Sequence, residues 1–130
     1  MSMINSVGWF EIYVQDMARA RAFYESVFQT RLEALKVPED AAMRGLQMMQ
    51  FSGDMNRYGA NGALCKVEGM SPGVGGTLVY FGCEDCAVGA KRVTAAGGRV
   101  YREKMSIGEY GFIVLAFDTE GNMIGLHSMQ

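Results

Sequence analysis

Glu11 and His127 are the side chains of this sequence best suited to move a proton. His127 is the single histidine in 130 residues, and imidazole is the side chain whose charge changes near neutral pH. Glu11 stands in Gly8-Trp9-Phe10-Glu11-Ile12-Tyr13-Val14, where strand alternation puts Trp9 and Glu11 on one face and Phe10 and Ile12 on the other. A carboxylate and an imidazole pointing into one cavity would serve as general base and acid on a small substrate. The competing readings are a structural pair, a histidine at a subunit contact, and a partial metal site completed by water or substrate.

Other residues offer weaker chemistry. Cys83-Glu84-Asp85-Cys86 has the spacing of a redox pair between a strand and a helix, where a helix N-terminus lowers a thiol pKa. The matching stretch earlier in the chain is Val14-Gln15-Asp16-Met17, apolar at both ends, so the two cysteines read as small buried hydrophobes. One such pair without a second does not make a zinc site. Trp9, Met48, Cys65, Tyr80 and Tyr110 are candidates to line a ligand cavity, aromatic rings with polar tips being suited to that task. Gly108-Glu109-Tyr110 reads as a lid over its mouth or as a plain hairpin entry.

The elements that must position these residues come twice. Residues 7–67 and 76–129 each read as strand, helix and three strands. In the first half, Val7–Val14 is a strand, Asp16 caps a helix running to Phe28, and strands follow at Arg31–Val37, Ala42–Phe51 and Gly62–Val67. Pro38-Glu39-Asp40 is a turn. Residues 68–76, with four glycines and a proline, form a linker. In the second half, Thr77–Phe81 is a strand and Asp85 caps a helix that ends at Gly97-Gly98. Strands follow at Arg99–Glu103, Tyr110–Phe117 and Met123–Ser128, with Lys104–Glu109 a loop. One helix followed by hairpin-linked strands favours mixed sheets over a parallel doubly wound one. The fold class is therefore α+β: two βαβββ modules, about 5–67 and 77–130, joining into an eight-stranded open cup with the helices outside, one domain over residues 1–130.

Composition closes off several classes. A net charge of −2 argues against nucleic acid, which calls for a basic surface. No apolar run approaches the roughly 20 residues of a membrane span. The start, Met-Ser-Met-Ile-Asn, lacks the pattern of a secretion signal. Three cysteines, an odd number, suggest a reduced, cytoplasmic protein. Eleven methionines suit an adaptable apolar interior.

Three stretches carry a family resemblance. They are Trp9-Phe10-Glu11-Ile12 with Asp16 and Ala22-Phe23-Tyr24; Ala95-Ala96-Gly97-Gly98; and Ile107–Phe112 with Asp118–Ser128. The pattern resembles the vicinal oxygen chelate superfamily of glyoxalase I, bleomycin- and fosfomycin-resistance proteins and extradiol dioxygenases, in its uncharacterised lactoylglutathione-lyase-related branch. The resemblance implies four His, Gln or Glu metal ligands, on the first and last strand of each half. In this chain those positions fall on Trp9, within Gly62–Lys66, on Thr77 or Leu78, and on Gly125, so the usual ligands are missing. If Gly125 stands at the old ligand position, His127 also faces inward. No cofactor is expected, a divalent ion at Glu11 and His127 being the exception to test. The resemblance also implies a homodimer that buries exposed sheet edges. Two functions follow: a glyoxalase-related enzyme, lyase- or isomerase-like, acting on a small oxygenated metabolite through Glu11 and His127, or a non-catalytic protein that sequesters a small molecule.

Overall fold

A computed structural model describes residues 5–37 and 45–130. The turn expected at Pro38-Glu39-Asp40, Met43 and the beginning of the strand expected from Ala42 lie outside the described residues. The elements are β1 (Val7–Tyr13), α1 (Met17–Phe28), β2 (Leu32–Ala34), β3 (Gln47–Phe51), β4 (Asn61–Lys66), β5 (Thr77–Gly82), α2 (Cys86–Ala95), β6 (Arg99–Ser106), β7 (Phe112–Phe117) and β8 (Met123–Ser128). They are two successive βαβββ modules with eight strands between them, as the internal repeat leads one to expect. Two compact units emerge, Trp9–Thr77 and Leu78–Gln130, the latter taking in the chain start through Gly8.

In the first unit the strands run β2-β3-β4-β1. β1 is parallel to β4, which is antiparallel to β3, which is antiparallel to β2. Asp16 caps α1 by accepting from the Arg19 backbone N–H at 3.0 Å. Gln29 ends α1 in the left-handed conformation at φ 52°. One face of the sheet packs on α1: Phe51 lies 5.6 Å, ring to ring, from both Phe10 and Tyr24. Gly62 is glycine because a side chain there would meet the Phe10 ring at 2.5 Å. The expected strand Arg31–Val37 shortens to three residues. Glu25 accounts for where it begins, since its carboxylate accepts from the Leu32 N–H at 2.9 Å and from Arg21 Nε at 3.0 Å. Those bonds hold the Glu25 carboxyl below its ordinary range.

The second unit repeats the plan in the order β5-β8-β7-β6, with β5 parallel to β8 and antiparallel pairs beyond. α2 covers Val114, Ala116 and Leu126 with Cys86 and Ala90. Asp85 caps α2 by accepting from the Ala87 N–H at 2.9 Å, and Gly97 leaves the helix at φ 99°. β6 runs three residues past its expected end at Glu103. Lys104 is tied down, its Nζ 3.0 Å from Asp85 and 4.6 Å from the Phe112 ring centre, and Met105 pairs with Ile113. The first half of the expected loop, Lys104–Ser106, is thus strand, and a 3-10 turn follows at Gly108–Tyr110.

Ser128, only 2% exposed, supplies a cap that the sequence reading missed. Its Oγ accepts from the Cys86 N–H at 2.9 Å, at the start of α2, and donates to the Gln130 carbonyl at 2.8 Å. Ser128→Ala is expected to cost about 1–3 kcal/mol, the penalty for leaving that buried N–H without an acceptor. Equilibrium urea unfolding measures it. Among the described residues, no helix is long and apolar enough to cross a membrane.

Candidate functional site

Alternation along β1 places Trp9, Glu11 and Tyr13 on the face of the first unit turned away from α1. The register carries that face across β4 and β3: Trp9 lies opposite Asn61, Glu11 opposite Ala63 and Tyr13 opposite Cys65, while Met48 lies opposite Cys65 and Gln50 opposite Ala63. Trp9, Glu11, Met48 and Cys65, all singled out from sequence, are therefore neighbours on one helix-free face.

Glu11 is the centre of this face. The residue is 9% exposed, uncommonly buried for an acid. Trp9 Nε1 donates to Oε2 at 3.1 Å and the Tyr13 hydroxyl donates to Oε1 at 2.5 Å. A carboxylate held at both oxygens by side chains of its own strand is fixed in direction without any loop. Tyr13 was not singled out from sequence, although the spacing Trp-x-Glu-x-Tyr contains the signal. Cys65 is 1% exposed; burial first, and the Glu11 charge second, push its thiol far above the ordinary range. It is a neutral, apolar part of the lining and a poor nucleophile.

Tyr80, Tyr110 and His127 belong to the second unit. Tyr80 lies opposite Gly125, and Gly82 opposite His127, on the face turned away from α2. His127 thus shares the face of Gly125, as the two-residue spacing requires. A side chain at position 125 would meet the Tyr80 ring at 2.3 Å, so a buried phenol fills the space into which that side chain would point. His127 Nε2 donates to the Tyr110 carbonyl at 2.6 Å. The 3-10 turn carrying Tyr110 is closed by Ile107 N–H to Gly111 O at 2.8 Å and Gly111 N–H to Gly108 O at 3.1 Å.

The positions that the resemblance assigns to metal ligands do not fit a divalent ion. Trp9 gives its indole N–H to Glu11, and indole has no lone pair for a metal. On β4 the helix-free face presents Asn61, Ala63 and Cys65. Asn61 Nδ2 donates to Met55 Sδ at 2.8 Å, and Cys65 is a protonated thiol. Thr77 and Leu78 are an exposed hydroxyl and a buried alkyl group. Gly125 offers nothing, beneath a ring. At the Cys83–Cys86 pair, burial raises the Cys83 thiol, followed by the charges of Cys86 and Asp85, while Cys86 is fully buried. That is the opposite of the lowered thiol a redox pair needs.

A shallow groove of about 360 Å³ lies at the start of α1, lined by Val14, Gln15, Arg19, Phe23, Tyr24 and Pro72 among others. None of the residues singled out for chemistry lines it.

Comparison with known proteins agrees with this fold. Methylmalonyl-CoA epimerase from Mycobacterium tuberculosis superposes with a TM-score of 0.67 at 14% identity, over 100% of this chain and 93% of that one. A hypothetical protein from Bacillus halodurans C-125 gives 0.69 at 12% identity, over 98% and 96%. A variant of Streptomyces coelicolor methylmalonyl-CoA epimerase, in complex with 2-nitronate-propionyl-CoA, gives 0.67 at 14% identity, over 97% and 98%. At such identities the likeness is one of fold. No curated protein gives a significant match. The family model of the Glyoxalase/Bleomycin resistance protein/Dioxygenase superfamily matches residues 6–126, nearly the whole chain, and the protein belongs to that superfamily.

Proposed function

We propose that this protein handles a small oxygenated molecule at the helix-free face of β1, β3 and β4, with Glu11 as proton acceptor and without the divalent ion of its metal-dependent relatives. The observation that carries the reading is the buried Glu11 carboxylate, aimed by Trp9 and Tyr13 and bordered by Met48 and Cys65. An epimerase inverts a centre by taking a proton and returning one, and a fixed carboxylate suits the first step. Within the second unit, His127, Tyr80 and Tyr110 are taken as ligand-binding residues. The reading takes the two modules as one functional domain, in the reducing cytoplasm that three free cysteines suit.

The test is deuterium wash-in. The protein is incubated in D2O with 2-substituted acyl thioesters and with hydroxyketones, and loss of the acidic C–H signal is followed by NMR. Exchange by the natural protein that falls about 10²–10⁴-fold in Glu11→Gln, the range of a general base, supports the reading. Equal exchange by both proteins overturns it. The missing metal-ligand side chains favour a second reading, sequestration without turnover. Binding of the same compounds with no exchange by either protein would establish that one instead.

The reading includes a homodimer. Phe23, Val27 and Phe28 of α1 are 57%, 53% and 65% exposed, an apolar stripe that favours burial against another surface. Sedimentation is expected to give twice the 14.3 kDa chain mass, and Phe23→Glu with Phe28→Glu to return it to the single-chain value.

A further inference from the structure

His127 holds the turn that carries Tyr110, and the atoms doing so are all within the second unit. A carbonyl oxygen only accepts, so the 2.6 Å contact between His127 Nε2 and the Tyr110 carbonyl puts the ring hydrogen on Nε2. Nδ1 is then the acceptor of the neutral ring. The strand beneath is equally fixed: the His127 carbonyl accepts from the Cys83 N–H at 2.9 Å and from the Cys83 thiol at 3.5 Å.

The turn fits against this histidine with no slack. Gly108 N–H donates to Ser106 Oγ at 3.1 Å, adding to the two backbone bonds that close the turn. Gly111 has φ 104°, and a Cβ there would lie 2.4 Å from the Ser128 carbonyl and 3.2 Å from His127 Nε2. Only glycine lets the backbone pass that close to β8 in that conformation. These bonds hold the Gly108–Tyr110 turn in place.

We infer that His127 is a positioning residue: its Nε2–H fixes the Gly108–Tyr110 turn and so the placement of Tyr110, leaving Nδ1 as the ring atom open to chemistry. This deepens the proposed function, resting on it for the use of Tyr110 in ligand binding. With its hydrogen given to the Tyr110 carbonyl, Nε2 serves neither as a metal ligand nor as the proton-transferring nitrogen.

The histidine is unique, so its ring gives one set of nitrogen resonances, read without ambiguity in the 15N-labelled full-length protein. Its titration is followed first, so that the neutral ring is the one observed. The expected result is a protonated Nε2 and a bare Nδ1. A protonated Nδ1, or two forms averaged as in free imidazole, overturns the inference. The second arm follows amide exchange at Gly111 and the Tyr110 ring signals. His127→Ala is expected to speed Gly111 exchange roughly tenfold and move the Tyr110 signals, and His127→Gln, whose amide can donate to the same carbonyl, to restore both. Unchanged Gly111 exchange in His127→Ala, or no rescue by His127→Gln, overturns it. Should His127→Ala not fold, the tautomer and the Gln variant still decide. None of these readouts depends on turnover, so failure of the deuterium test leaves them intact, and the reverse holds too.

Discussion

Glu11→Ala is expected to destabilise the fold by about 2–4 kcal/mol, seen as a lower midpoint in equilibrium urea unfolding. The substitution removes the acceptor for two donors at once. Tyr13, 7% exposed, loses one acceptor of its hydroxyl, and half-buried Trp9 loses the acceptor of its indole N–H. A buried donor left unmade costs about 1–3 kcal/mol, with Trp9 at the lower end because water reaches it. Glu11→Gln separates stability from chemistry. It keeps the volume, but its amide presents an acceptor to one donor and an N–H to the other, for an expected loss of about 1–3 kcal/mol. The Gln protein should therefore fold while its exchange of acidic protons falls by the factor given above. Cys65 follows in the same variants: removing the nearby negative charge lowers its thiol, though burial, the larger cause, still keeps it protonated. If Glu11→Ala were as stable as the natural protein, the bonds from Trp9 and Tyr13 would not be holding this face together.

Gly125→Glu introduces one of the residue types that the family resemblance implies for a metal ligand at this position, and it is expected to damage the protein. The Cβ would fall 2.3 Å from Tyr80 Cδ2 and 2.5 Å from Cε2, against a ring that is 7% exposed and cannot swing aside without disturbing its neighbours. Overpacking of this kind costs about 1–3 kcal/mol. Burying the carboxylate without a prepared partner adds to it, so about 3 kcal/mol or more is expected in total. Tyr80→Ala alone is also costly, about 3–5 kcal/mol for loss of a large buried ring. The two are expected to couple: with the ring gone, the side chain at 125 has room, and the double variant should be about 2 kcal/mol more stable than the sum of the single losses. Strict additivity would show that Tyr80 does not fill that space.

Much of the architecture was legible because two independent signals agreed at each element. Period-2 alternation at Trp9–Tyr13 gave the face of Glu11, and a carboxylate before each apolar helical run gave the caps at Asp16 and Asp85. The repeat fixed which cysteines were packing groups. Boundaries were less legible where tertiary contacts decide them. The start of β2 and the length of β6 depend on Glu25 reaching Leu32 and on Lys104 lying between Asp85 and Phe112, pairs separated by 7, 19 and 8 positions. No local pattern announces such partners. The candidate site divides in the same way. That Gly125 carries no ligand was visible at once, whereas the Tyr80 ring over it required the β5–β8 register. The roles of Tyr13 and Ser128 depended on hydrogen bonds that residue type alone does not assign.

On the proposed reading Glu11 works on this face without a divalent ion. Elemental analysis of untagged protein, incubated with nickel, zinc, manganese or iron and then desalted, tests it most directly. Far less than one ion per chain is expected for every metal, in natural protein and in Glu11→Gln alike. About one ion per chain, lost in Glu11→Gln, would contradict it and make Glu11 a metal ligand instead of a proton acceptor.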